Sequence, residues 1–417
     1  MRLSIGALAL LWSGACSSPP VEPSPTEDGS GTNPAQAPSG TPPTSTSPVT
    51  PTGVCPEGVA FQELSGKAAL QVTINGKGPY TFILDTGAPT SGIDDTIASE
   101  VGAAPFEMNF AESKVTLSKL AASDIKAALR LDKVVGILGR DTWGQYALTL
   151  DYPRNRVWLR EKHDEQELAA CSHLRQKPSR APYVLSSYFY VKGRMEDVDG
   201  WFLVDSGASL GATLETVFAT LQQRRPRTAL QGFYTPAAIG TFWAQLAAVA
   251  SYEVAGQRVT GLYTRTVPNS VLDTLPRSLR SNGDIMLGVL PSGYLKQFAI
   301  TLDTATSEMR FDAAKESTLT ESRHWDAYGF GFEATLEGAR IAQIVPGSSA
   351  EQNGLKVGDE VVEIEGQAVS KIDGYSRAWY LVTTTKTAPL TLTYKRAEKQ
   401  TTVTLSASDL LSPPAFK

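Results

Sequence analysis

Beyond residue 55 the chain is written in short apolar runs, alternating or clustered, cut at Gly, Asn-Gly and Pro. That texture predicts β-strands rather than long amphipathic helices. "AALQVTI" (residues 68–74), the turn "NGKG" and "YTFILD" (80–85) predict a hairpin, since Asn-Gly supplies the positive φ angles that a tight turn needs. Residues 95–101 predict a short helix closed by Gly102. "VVGILGRD" (134–141) is an apolar run ended by Gly, and "ALTLDYPRNRVWL" (147–159) reads as strand, Pro-containing turn and strand.

The second half repeats this order. "TFILDTGAPTS" (81–91) has its counterpart in "WFLVDSGASLG" (201–211). A helix near residues 215–223, "IMLGVL" (285–290) and "AITLDTATSEMRF" (299–311) follow in the same sequence. Four recurring landmarks indicate internal duplication. Matching Ile137, Leu138 and Gly139 to Met286, Leu287 and Gly288 puts 54 residues between Asp85 and Gly139 and 83 between Asp205 and Gly288. The second half is therefore expected to carry a larger hairpin or loop around residues 231–270, where insertion is cheap. From about residue 328 a third unit begins, with strands, a short helix at 349–353, a helix near 375–382 and the hairpin "PLTLTYKRAEKQTTVTL".

The amino-terminal part is different in kind. An Arg, the apolar run "LSIGALALLW" and the small residues Ser13, Gly14 and Ala15 before Cys16 form an export signal (residues 1–15), too short in its apolar part for a permanent span. "SGAC" resembles the lipobox of bacterial lipoproteins, which implies lipidation at Cys16. Ser-x-Ala also suits ordinary signal cleavage and plain secretion. Residues 16–54 follow as a linker; residues 17–54 hold ten prolines and no aromatic residue, too little apolar surface to offset ordering entropy. At ~3.1 Å per residue, such a tether could hold a folded body on the order of 100 Å from an anchor.

Composition narrows the function. The 417 residues are 41% hydrophobic and 19% charged with a net charge of −5, ordinary globular values without the basic footprint of a nucleic-acid binder. Three His, no HExxH and no CxxC argue against a metal centre, and no cofactor is expected. With Cys16 acylated, Cys55 and Cys171 remain as an even pair that a disulfide could join.

The repeated Asp carries the chemistry. Gly after Asp-Thr or Asp-Ser permits a sharp turn and a close approach by another backbone, and the hydroxyl can bond to a facing loop. If the two turns face each other, Asp85 and Asp205 meet, cannot both ionise cheaply and share one proton. One then serves as base toward a water and the other as acid toward a peptide carbonyl. A single Asp-Ser/Thr-Gly tripeptide arises by chance about 0.2 times in a chain this long, so it is the duplication that makes the signal specific.

These motifs resemble the pepsin and retroviral-protease superfamily of aspartic peptidases, and most of all the bacterial single-chain members with two retropepsin-like lobes. The resemblance implies a mainly β, two-lobed barrel fold: a first lobe at residues 55–165 and a second at 166–315. It implies a catalytic pair of Asp85 and Asp205, bracing hydroxyls at Thr86 and Ser206, and carboxylate-binding amides at Gly87 and Gly207. Ala88 and Ala208 follow the retroviral pattern. Without a hydroxyl there, the carboxylates are expected to have higher pKa values and activity at mildly acid to neutral pH. The flap is not readable; Phe110 and Tyr234 are candidate tip aromatics, with core packing the alternative.

"GFGF" (329–332) followed by "PGSSAEQNGLKVGDEVVEIEG" resembles the bacterial PDZ domain, here at residues 322–408. In that family the amides of this loop capture a peptide's terminal carboxylate while the peptide adds a strand. The matching positions are Gly329, Phe330, Gly331 and Phe332, and a core turn packed on the lobes is the plainer reading.

Three classes of function are open to such a chain. The first is an aspartic endopeptidase of the cell envelope acting on protein substrates, touching membrane only through the lipid, with a PDZ domain for a carboxyl-terminal peptide. The second is a non-catalytic peptide-binding lipoprotein. The third, a serine protease built on "VDSGAS", lacks the Gly neighbours of a nucleophile loop, and His163 and His173 lie in a linker-like segment.

Overall fold

The computed structural model describes residues 53–111, 113–129, 131–161, 164–237, 240–272, 274–320, 326–334, 338–372 and 388–412. Cys16, His163 and the helix expected near residues 375–382 lie outside them. The protein is mainly β. Among the described residues no helix is long and apolar enough to cross a membrane.

In the first lobe, Lys67–Ile74 and Lys77–Leu84 form the expected hairpin, with Asn75 (φ 50°) and Gly76 (φ 75°) at its turn. Lys77–Leu84 then pairs in parallel with Gly136–Leu138, itself antiparallel to Gly92–Asp94. Helix Asp95–Val101 begins at Asp94, whose carboxylate accepts from Thr96 N (3.1 Å), and ends at Gly102 (φ 87°). The second lobe repeats the plan. Phe189–Met195 and Val198–Val204 make its hairpin, Val198–Val204 runs parallel to Met286–Leu290, and helix Glu215–Arg224 follows Gly211–Leu214. The insertion is a pair of long hairpins, Ala229–Ala237, Gly240–Val254 and Gln257–Val267. Pairing of Gly240–Val254 back onto Phe189–Met195 closes this sheet on itself.

Strand register corrects one equivalence drawn from the sequence. Ile83 and Leu84 lie opposite Ile137 and Leu138, while Leu203 and Val204 lie opposite Val289 and Leu290. The counterpart of Gly288 is thus Gly136, and Gly139 corresponds to Pro291. The apolar-apolar-Gly pattern was satisfied by two registers, and only pairing with the Asp-bearing strand selects between them.

The two lobes share a sheet of alternating origin. Val59–Ala60, Arg156–Arg160 and Ala147–Asp151 from the first half continue into Phe298–Asp303, Glu308–Ala313 and Ser179–Leu185 from the second. At its centre "ALTLD" lies antiparallel to "AITLD", Thr149 directly opposite Thr301, their hydroxyl oxygens 2.9 Å apart. The pairing is symmetric about this point, so the Thr149–Thr301 pair marks the pseudo-twofold axis. Cys55 is bonded to Cys171 next to this sheet, in a small cluster with Trp158, Leu168 and Leu174. His173 Nε2 lies 2.9 Å from Oδ2 of Asp151 on it, so it belongs to this sheet and not to a free linker.

The third unit is a sheet ordered Phe330–Ala334, Ala339–Ile344, Glu360–Ile364, Leu390–Arg396, Lys399–Leu405, with helix Ser349–Gln352 capped by the Ser348 hydroxyl. Its core is not separate. Phe330, Phe332, Ile341 and Leu392 are buried in one cluster with Leu230, Phe233, Leu246 and Tyr263 of the second lobe.

Candidate active site

Each Asp follows the strand that ends at Leu84 or Val204, and each turn is held by the same bonds. Asp85 N donates to Leu138 O (3.0 Å) and Asp205 N to Leu290 O (3.3 Å). Ala88 N and Ala208 N reach back to Asp85 O and Asp205 O (3.3 Å each), and Arg140 N and Ser292 N donate to Ala88 O and Ala208 O (2.9 Å each). The parallel strand beside each Asp strand therefore fixes where each carboxyl points.

Across the axis the hydroxyls interlock. Thr86 Oγ1 donates to Val204 O (3.0 Å) and accepts from Ser206 N (2.9 Å); Ser206 Oγ donates to Leu84 O (2.7 Å) and accepts from Thr86 N (3.0 Å). Both residues are buried. Ser206 Oγ is fully engaged in this lock, which removes it as a nucleophile and closes the serine-protease reading.

Gly87 N donates to Asp85 Oδ1 and Gly207 N to Asp205 Oδ1, both at 2.8 Å. Each carboxyl lies against the glycine of the other lobe, which brings the two acids together. Burial, then the charge of Asp205, then the Asp205 side chain as a hydrogen-bond partner hold Asp85 well above the ordinary carboxyl value of 3.8. Burial also raises Asp205, while the bond from Asp85, the Gly207 amide, Arg265 and Lys67 pull it back down. Both carboxyls are thus held above the ordinary range, and the pair is set up to keep one proton between them.

Lys67 and Arg265 were not singled out from the sequence. The Lys67 charge acts on both carboxyls, and its ammonium donates to Ser209 Oγ, which donates on to Ser65 O (2.5 Å). A cation on a hairpin of one lobe thereby meets the turn of the other, a relation no local pattern announces. Arg265 stands on Gln257–Val267, opposite Ala212. Ser91, six residues past Asp85, donates to Asp141 Oδ1 (2.6 Å) and accepts from Gly139 N (2.9 Å), tying the first turn to the short helix Arg140–Trp143. Beside the Asp205 turn Ser209, Leu210, Leu262 and Tyr263 line a small cavity of about 10 Å³.

The remaining expected residues fall elsewhere. Phe110 is in the core, 4% exposed; the side chain of Tyr234 is outside the described residues. Gly329, Phe330, Gly331 and Phe332 are all buried, with Phe330–Ala334 at the sheet edge. Cys55, Cys171 and His173 bring potential metal-ligating atoms together among the described residues. The two sulfurs are bonded to each other and the imidazole to Asp151, so the group has no free donor set for an ion.

Residues 70–142 match the aspartyl protease family model, and residues 327–407 match the PDZ domain model. No curated protein sequence matches the chain. Among solved structures it is similar to a retropepsin-like aspartic protease from Rickettsia conorii (16% identity, 33% of this chain and 91% of that one, TM-score 0.22). It is also similar to an aspartic proteinase from Irpex lacteus (12% identity, 64% and 99%, TM-score 0.41). A photosystem II D1 C-terminal processing protease matches at 18% identity over 20% of this chain, which spans 23% of that protein, with a TM-score of 0.19. On the family matches, the chain carries an aspartyl protease segment at residues 70–142 and a PDZ domain at residues 327–407.

Proposed function

We propose that the protein is an aspartic endopeptidase in which Asp85 and Asp205 act as one catalytic pair. The observation that carries this reading is that each carboxyl is held by the amide of its own glycine and rests against the glycine of the other lobe, so that the two meet at a pseudo-twofold axis. Ionised Asp205 accepts a proton from a water as that water attacks a peptide carbonyl carbon, while Asp85 donates its proton to the carbonyl oxygen. Collapse of the resulting gem-diol returns a proton to Asp85, and Asp205 delivers its own to the departing amine nitrogen, which restores the starting state. The PDZ domain supplies peptide binding, with Gly329, Phe330, Gly331 and Phe332 at the capture strand. Export, with lipid attachment at Cys16 and residues 17–54 as tether, completes the proposal; mass spectrometry of the mature amino terminus distinguishes an acylated Cys16 from plain cleavage.

The full chain incubated with an unfolded protein across pH tests the catalytic reading beside Asp85→Asn and Asp205→Asn. Loss of cleavage in both variants is the expected result. Retained cleavage in either overturns the shared pair, and binding without cleavage by the unaltered chain returns the peptide-binding alternative.

A further inference from the structure

The PDZ domain meets the second lobe on the strand assigned to peptide capture. Phe330–Ala334 lies against Ala229–Ala237, the outermost strand of the insertion. Glycines allow the approach. A β-carbon on Gly331 would stand 2.9 Å from Gln231 N, and one on Gly232 would stand 2.7 Å from the Phe332 ring. Gln343, the cross-strand neighbour of Gly331, fastens the joint: its amide oxygen accepts from Gln231 N (3.2 Å) and its nitrogen donates to Ala229 O (2.9 Å). One side chain thereby serves two backbone groups of a strand from the other unit.

The apolar contacts run on toward the catalytic pair. Leu230, Leu246 and Tyr263 are buried together with Phe330 and Phe332, and Leu210 packs against the same cluster. Leu210 is five residues past Asp205 and lines the cavity beside that turn together with Tyr263. The strand that follows it, Gly211–Leu214, pairs with Gln257–Val267, which carries Tyr263 and Arg265. A close-packed cluster of this kind transmits displacement because its members cannot move independently. Two domains of one chain joined by such a core are not expected to swing freely.

We propose that the PDZ domain is a positioning element for the second aspartate turn. Its strand Phe330–Ala334 clamps the hairpin Ala229–Val254, and through Leu210 the clamp holds the turn that begins at Asp205. A peptide arriving at that strand, or any force that lifts it, loosens hairpin and turn together. The inference rests on the proteolytic reading for its consequence, but its test does not.

Amide hydrogen exchange on the full chain provides that test, comparing the unaltered protein with Gly331→Ala and Gln343→Ala. Gly331 has no positive φ, so the added methyl brings no backbone strain and acts at the joint itself, against Gln343 Oε1 (2.8 Å) and Gln231 N (2.9 Å). Gln343→Ala deletes two hydrogen bonds and nothing of the core. Exchange about tenfold faster both in residues 229–254 and in residues 206–211 is expected, with Ala147–Asp151 and Phe298–Asp303 unchanged as the sign of an intact fold. Acceleration in the hairpin without the turn, or in neither, overturns the proposal. Should Gly331→Ala unfold the chain, Gln343→Ala alone decides. Absence of proteolysis in the unaltered protein would sink the catalytic reading and leave the exchange result standing.

Discussion

A β-carbon on Gly207 would stand 2.5 Å from Cγ of Asp85, and one on Gly87 would stand 2.6 Å from Cγ of Asp205. Each lobe's glycine is therefore the floor on which the other lobe's carboxyl rests. Each glycine also supplies the sharp turn and the carboxylate-binding amide, but this cross-lobe contact is the tighter constraint. Gly87→Ala or Gly207→Ala should push the carboxyls apart and lower kcat by about 10²-fold or more, with an unchanged circular dichroism spectrum. Near-normal turnover in either variant would contradict the contact.

Stability should depend on pH through Asp85. Its native pKa is raised, chiefly by burial and next by the charge of Asp205, so the folded chain keeps a proton that the unfolded chain releases. The contribution is full below the ordinary value of 3.8 and is lost as pH rises through the native value. Asp85→Asn removes the titration. Thermal midpoints of the two proteins should converge at low pH and separate as pH rises, the variant being the more stable; a gap independent of pH would refute this.

Activity should follow the same pair. Both carboxyls lie above 3.8, which places the acid limb of the rate profile, where the pair takes up its second proton, above that pH, and the basic limb higher, where the pair loses its last proton. Lys67 lowers both, so Lys67→Met should move both limbs to higher pH. Ser209→Ala breaks the Lys67 bond but keeps the charge near the pair, and is expected to leave the limbs nearly in place. Equal shifts in the two variants would assign the effect to the bond.

Thr86→Ala should destabilise the protein by about 1–3 kcal/mol, because it strands buried Ser206 N and Val204 O, the groups that its hydroxyl serves. Thr86→Ser restores the oxygen and most of the stability. Chemical denaturation of the three proteins measures it. A Thr86→Ala chain as stable as the parent would mean that the lock is replaceable by solvent.

The Cys55–Cys171 bond closes a separation of 116 residues. Replacing both cysteines by Ser should cost about 2–5 kcal/mol, mainly by freeing the unfolded chain, and reductant should then have no further effect. Denaturation midpoints with and without dithiothreitol distinguish this from a bond without consequence.

Much of the architecture was legible because it is local. Asn75-Gly76 sets its hairpin, Gly102 ends its helix, and the twin Asp-hydroxyl-Gly turns close strands whose apolar residues leave no other reading. The Gly139–Gly288 equivalence went astray where two registers fit one composition; the parallel ladders to Lys77–Leu84 and Val198–Val204 chose the other. Lys67 escaped notice because it lies 18 residues before Asp85 on a strand end, and its partner Ser209 belongs to the other lobe. The joint between Gln343 and Ala229–Ala237 was invisible for the same reason, since neither segment carries a mark of the other.

By itself, then, the sequence determined the elements and the chemical types: strands from alternation, turns from Gly and Asn, and two acidic groups from a duplicated motif. Hydrogen-bonding geometry and backbone sterics act over a few residues, so the chain states them directly. Only the tertiary structure decided that Thr149 faces Thr301, that each glycine supports the opposite carboxyl, and that the PDZ domain shares a core with the second lobe. Those relations join segments far apart along the chain, and they arise from burial and close packing, which depend on which surfaces meet and not on what lies next along the chain.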